Sequence, residues 1–114
     1  MFTDFYHGDS KNIRLNITDN DDVPIDMTGW VFEVIVRDSL YVTPENADIH
    51  MTFFAGDHPE DDVENGKVVI TIPSQAVSSL EPNKPYFITL RYIHSDDQAF
   101  VIGEDRVSVM GFRP

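Results

Sequence analysis

The chain has 114 residues, of which 41% are hydrophobic and 11% aromatic: enough for one globular domain, residues 1–114, that buries about two thirds of its unfolded surface. Eight Lys plus Arg stand against twenty Asp plus Glu, and a net charge of −12 repels phosphate backbones and anionic lipid, which disfavours nucleic-acid binding and membrane adhesion. Cysteine is absent, so disulfides, thiolate catalysis and Cys-based metal sites are excluded together, and no apolar run of about 18 residues exists to form a membrane-spanning helix.

The opening MFTDFYHGDSKN has neither a basic start nor an apolar run, so no secretory signal is expected. Residues 12–18, NIRLNIT, alternate: Ile13, Leu15 and Ile17 face one way, and Asn12, Arg14, Asn16 and Thr18 the other, as in a half-buried strand. DNDDVP then reads as a turn. Asp26 can accept hydrogen bonds from the amides just after it, and Gly29 can take a positive φ. Asp26, Thr28 and Gly29 thus form a structural turn that releases the chain into a strand over residues 30–37. On that strand Trp30, Phe32, Val34 and Val36 belong to the core, and Trp30 packs at its end with the indole N–H near the rim. Val31, Glu33, Ile35 and Arg37 form a mixed face that is expected to be only partly covered.

A loop containing Pro44 precedes a weak strand over Ile49–Phe54, and AGDHPEDDVENG follows as a long acidic loop. KVVITIP gives a strand with Val68, Ile70 and Ile72 inward, stopped by Pro73. Ser74 is placed as the N-cap of one short helical turn that buries Ala76, Val77 and Leu80. KPYFITLRYIH puts Tyr86, Ile88, Leu90 and Tyr92 on one face, SDDQ turns, and AFVIGEDRVSVMGF returns as a long strand bent near Gly103. The sum is an all-β, antiparallel, immunoglobulin-like β-sandwich of six to eight strands with one short helical turn; a small barrel is the alternative. Phe2, Phe5, Tyr6 and Phe112 fit no strand face and are expected to clamp the sandwich edge or to contact another subunit.

Motifs that carry chemistry are lacking. His7, His50, His58 and His94 do not have zinc-ligand spacing, and His58 and His94 read as exposed. The acids Asp19, Asp21, Asp22, Asp57, Glu60, Asp61, Asp62 and Glu64 invite a calcium reading. DNDDVPID, however, lacks the glycine and the closing glutamate of an EF-hand loop, and loop solvation is preferred. On that reading, replacing Asp61 and Asp62 by Asn hardly alters stability. No serine sits in a G-x-S-x-G turn and no glycine-rich phosphate loop occurs, so no enzyme, cofactor or metal is expected.

Several ordered segments resemble small phage tail and baseplate domains typified by the N-terminal domain of the baseplate upper protein. HGDSKNIRLNITDNDDVPIDMTGWVFEVIVRD is similar to their opening, matching through Gly8, Asp9, Asp26, Met27, Thr28, Gly29 and Trp30, with Met27 where leucine is usual. NGKVVITIPSQAVSSLEPNKPYFITLRY and VIGEDRVSV resemble the later strands. The acidic loop 56–64 has no counterpart, and the longer members of the family continue into a stalk or receptor-binding region where this chain ends at Pro114. The resemblance implies a phage or prophage virion structural protein, a docking or adaptor module of the tail, assembled in the bacterial cytoplasm. Its partners would be other tail or baseplate proteins and further copies of itself in a homo-oligomer. A calcium- or carbohydrate-binding β-sandwich module is the alternative.

Overall fold

The computed structural model describes residues 5–93 and 99–110, and among these the alternating segments pair as seven strands. They are β1 (Phe5–Tyr6), β2 (Lys11–Asn16), β3 (Val31–Arg37), β4 (Ile49–Phe54), β5 (Lys67–Ile72), β6 (Pro85–Ile93) and β7 (Ala99–Met110). One helical turn, α1 (Ser74–Ser78), links β5 to β6. One sheet has the order β1-β7-β6-β3-β4, and β2 pairs with β5 in the other. All pairs are antiparallel except β1 with β7. Among the described residues no ladder joins the two sheets, so the fold is an all-β sandwich and not a barrel. β2 with β5 facing β3, β6 and β7 reproduces the immunoglobulin-like separation of strands B and E from C, F and G.

The core is the apolar half of each alternation. Ile13 and Leu15 from β2 and Val68, Ile70 and Ile72 from β5 meet Phe32, Val34 and Val36 from β3 and Tyr86, Ile88 and Leu90 from β6. Tyr86 is buried at the start of β6, and its hydroxyl oxygen accepts the Glu81 N–H at 2.9 Å. A buried strand-F tyrosine bonded to backbone a few residues upstream is the tyrosine corner of such sandwiches. The register of β6 on β7 shifts between Leu90 and Arg91, opposite the segment around Gly103 where the bend is predicted.

Local details differ from the sequence reading. β3 starts at Val31, and Trp30 is half-buried in the turn before it. Ser74 is the first residue of α1; Pro73 holds the N-cap position, its fixed φ of −66° suiting the entry although it has no side-chain acceptor. Phe5 is fully buried where β1 lies parallel to β7, so this aromatic closes the core. Phe2, Phe112 and the SDDQ turn lie outside the described residues.

Gly66, just before β5, marks the tightest backbone approach. Its carbonyl accepts the Ile17 N–H at 2.9 Å, its φ is 72°, and a Cβ there would collide with the Ile17 carbonyl oxygen. Gly66→Ala therefore faces both left-handed strain and a backbone clash. We expect it to lower unfolding free energy by about 2–4 kcal/mol, read as a lower urea midpoint at unchanged slope.

Candidate functional site

The face of the large sheet that points away from the small one is more closed than its sequence suggests. Ile35 is 1% exposed and Glu33 6%, although both lie on the β3 face expected to be only partly covered. Lateral pairing of long polar side chains explains the difference. Register sets Glu33 opposite Thr52 of β4 and Arg91 of β6. Arg91 Nε donates to Glu33 Oε1, and His50 Nε2 of β4 lies 2.5 Å from Glu33 Oε2. One row along, Thr89 donates from Oγ1 to Glu104 Oε2 at 2.9 Å. Burial alone would raise the Glu33 carboxyl, but hydrogen bonds from Arg91 and His50 outweigh it and hold its pKa below the ordinary 4.5.

Around this charge-paired centre the face changes character from end to end. One end is apolar: Phe54, Val31 and Ile93 lie side by side across β4, β3 and β6, with Val101 of β7 diagonal to Ile93. Phe54 is 57% exposed and Val101 63%. The other end is basic, with Phe87 flanked in register by Arg37 and Arg106. Arg37 Nη1 donates to the Val42 carbonyl at 2.8 Å, which ties the β3–β4 connection to this end. At the tip of that connection Leu40 is exposed and Tyr41 is 98% exposed. Among the described residues β4 is a free edge of the large sheet, and IHMTFF contains no Lys, Arg, Asp or Glu.

The residues singled out from sequence form the turn before β3. Asp26 Oδ1 accepts the Thr28 N–H at 2.9 Å and the Thr28 hydroxyl at 2.5 Å, and those two bonds, side chain first, lower its pKa. Gly29 follows with φ 82°. The turn drops Met27 into the core, where it is fully buried, and Met27 N–H donates to the Val63 carbonyl at 3.0 Å. Trp30 stacks on Tyr92 at 4.3 Å between centroids, and Tyr92 on Phe100 at 5.2 Å.

The acidic side chains largely serve their own loops. Asp19 Oδ1 accepts the N–H groups of Asp21 at 2.8 Å and Val23 at 3.0 Å. Asp61 is no solvated loop charge: Oδ2 accepts from Gly56 at 2.9 Å and His58 at 3.3 Å, and Oδ1 from Val69 at 2.7 Å. His58 is half-buried rather than exposed, and its Nδ1 accepts the Glu60 N–H at 3.0 Å. His94 lies outside the described residues. Among the described residues no three His, Asp or Glu side chains gather as a metal site would require.

Sequence reasoning missed the Glu33–Arg91–His50 cluster and the anchoring by Asp61. The only signal for the first was opposite charges on the outward faces of two otherwise apolar strands; pairing them needs a register across 58 residues. Compared with known proteins, the chain matches no family model and no curated relative.

Two outcomes are expected. Asp61→Asn presents an amide nitrogen to one set of its backbone donors and should cost about 1–3 kcal/mol by chemical denaturation, whereas Asp62→Asn stays within about 0.5 kcal/mol. A carboxyl whose pKa is depressed on folding stabilises the fold above its unfolded pKa, and loses that contribution as pH falls through the folded value. Glu33→Gln should therefore be about 1–3 kcal/mol less stable than the parent at neutral pH. That gap should narrow as pH falls below 4.5, checked by paired melts across the acid range.

Proposed function

We propose that the chain is a structural protein of a phage or prophage virion, a docking or adaptor module of the tail or baseplate that works through protein–protein contacts. The observation that carries the contact reading is the outer face of the large sheet: an exposed apolar end beside a charge-paired centre, bordered by a charge-free edge strand. Exposed apolar surface of this kind marks contact sites, and an unprotected edge offers backbone donors and acceptors to another chain. The tail or baseplate assignment rests on the ordered resemblance through Gly8, Asp9, Asp26, Met27, Thr28, Gly29 and Trp30, where the aspartate-anchored turn seats Met27 in the leucine position. Its partners are other tail or baseplate proteins and further copies of the chain, and its place is the virion tail.

For the calcium or glycan alternative, the arrangement offers little support. Asp19 and Asp61 are engaged by backbone N–H groups, and the ring faces of Trp30 and Tyr92 are turned on each other. The test is affinity capture with the tagged chain from lysates of induced lysogens. Recovery of a tail or baseplate protein is expected. Recovery of none, together with a melting shift on adding calcium or glycans that chelator or free sugar reverses, would overturn the proposal in favour of the alternative.

A further inference from the structure

We infer that β4 is a self-association edge: two copies of this chain pair antiparallel through Ile49–Phe54 about a two-fold axis at Thr52. This names one partner for the contact reading above and rests on it.

The backbone sets the register. Ala55 N–H donates to the Trp30 carbonyl at 3.0 Å. Antiparallel ladders alternate, so Phe53, Met51 and Ile49 bond to β3, while His50, Thr52 and Phe54 turn their N–H and C=O groups outward along the free edge. The Phe54 carbonyl also accepts the Asp57 N–H at 3.1 Å, which leaves one lone pair. With Thr52 opposite Thr52 of a second copy, each donates to the other's carbonyl, and His50 and Phe54 exchange bonds with Phe54 and His50 across the axis. One strand thus satisfies its own edge, as an isologous contact requires.

Among the longer strands, charge opposes a second copy least at β4. Each copy carries −12, and apposing acidic loops would repel. β4 alone among the longer strands has no formally charged side chain, and none of the devices that protect edges: no Lys, no Pro, no bulge. The far edge of the same sheet is β1, which spans two of the described residues, Phe5–Tyr6. The register also brings Met51 of one copy opposite Phe53 of the other. Phe53 lines an open groove of about 140 Å³ with Phe54, Asp57, His58, Val69 and Thr71, and its aromatic and Val69 side can receive an apolar side chain. Asp48 and Asp57 lie just beyond the paired segment, so added salt strengthens the pairing.

The chain has no cysteine, so Thr52→Cys introduces a single thiol. Cα atoms of a hydrogen-bonded antiparallel pair lie about 5.5 Å apart, within the span a disulfide bridges. Sedimentation equilibrium of the unmodified chain should show monomer–dimer exchange, tightened about tenfold from low to high salt. Thr52→Lys sets like charges across the axis and should leave a folded monomer, with association weakened at least about tenfold. Mild oxidation of Thr52→Cys should give a covalent dimer, and of an exposed control, Ser74→Cys, should not. A dimer that persists in Thr52→Lys, or a chain that stays monomeric and cross-links no better than the control, overturns the inference. A monomer that still captures a tail protein overturns the self-pairing and leaves the docking proposal standing; a dimer that captures no tail protein and shows a melting shift with calcium or glycans removes the tail assignment and leaves the self-pairing.

Discussion

At about 4.8 Å between neighbouring strands, a two-stranded sheet leaves more than half of a five-stranded sheet uncovered. That inequality of width governs the molecule. The apolar inner face of β3, β6 and β7 must be closed by something other than a strand ladder. Three side chains close it, Val77 and Leu80 from and just after α1 and Met27 from the aspartate-anchored turn, all fully buried, and Phe5 of the edge strand β1 joins the same core. Each contributes about 1.5–3 kcal/mol of burial. Toward the rim, the Trp30–Tyr92–Phe100 stack extends the cover with aromatic faces. The irregular segments are therefore parts of the core.

Period-two alternation makes the small sheet and most of the large one legible in the sequence alone. Ile13, Leu15, Val68, Ile70 and Ile72 are readable because they hold the apolar side of each alternation, although Val69 on the other face of β5 is buried as well. The central strands obey a weaker pattern. Ile35 is buried on the side opposite Val34 and Val36 because neighbours in the plane of the sheet surround it, and lateral neighbours leave no trace in local periodicity. β1 is hidden for a related reason: two residues cannot show a period, and a parallel pairing with β7 joins opposite ends of the sequence. In the sequence Asp61 is one more charge in an acidic loop; only its distance to the Val69 amide shows that it caps the free side of β5.

The distribution of charge complements this architecture. Asp19, Asp21, Asp22 and Asp26 lie on the β2–β3 connection, and Asp57, Glu60, Asp61, Asp62 and Glu64 on the β4–β5 connection. The two connections are joined by the Met27–Val63 and Ile17–Gly66 hydrogen bonds. Much of the negative field therefore belongs to one pole. The outer face of the large sheet carries Glu33 and Glu104 against Arg37, Arg91 and Arg106. A molecule of high net charge thus keeps a broad face and an adjoining edge near neutrality, while the repelling pole supplies solubility.

The two long connections also differ in how much freedom they retain. The acidic one is held at Gly66, Val63 and Asp61, so an added residue there would pull on β5 and on the core turn together. The β3–β4 connection is held at its base, through Arg37 and Val42, and projects Leu40 and Tyr41 into water. Foreign peptide spliced between those two residues would leave both sheets in register, making this tip the natural place to graft a tag, a fluorophore site or a displayed epitope.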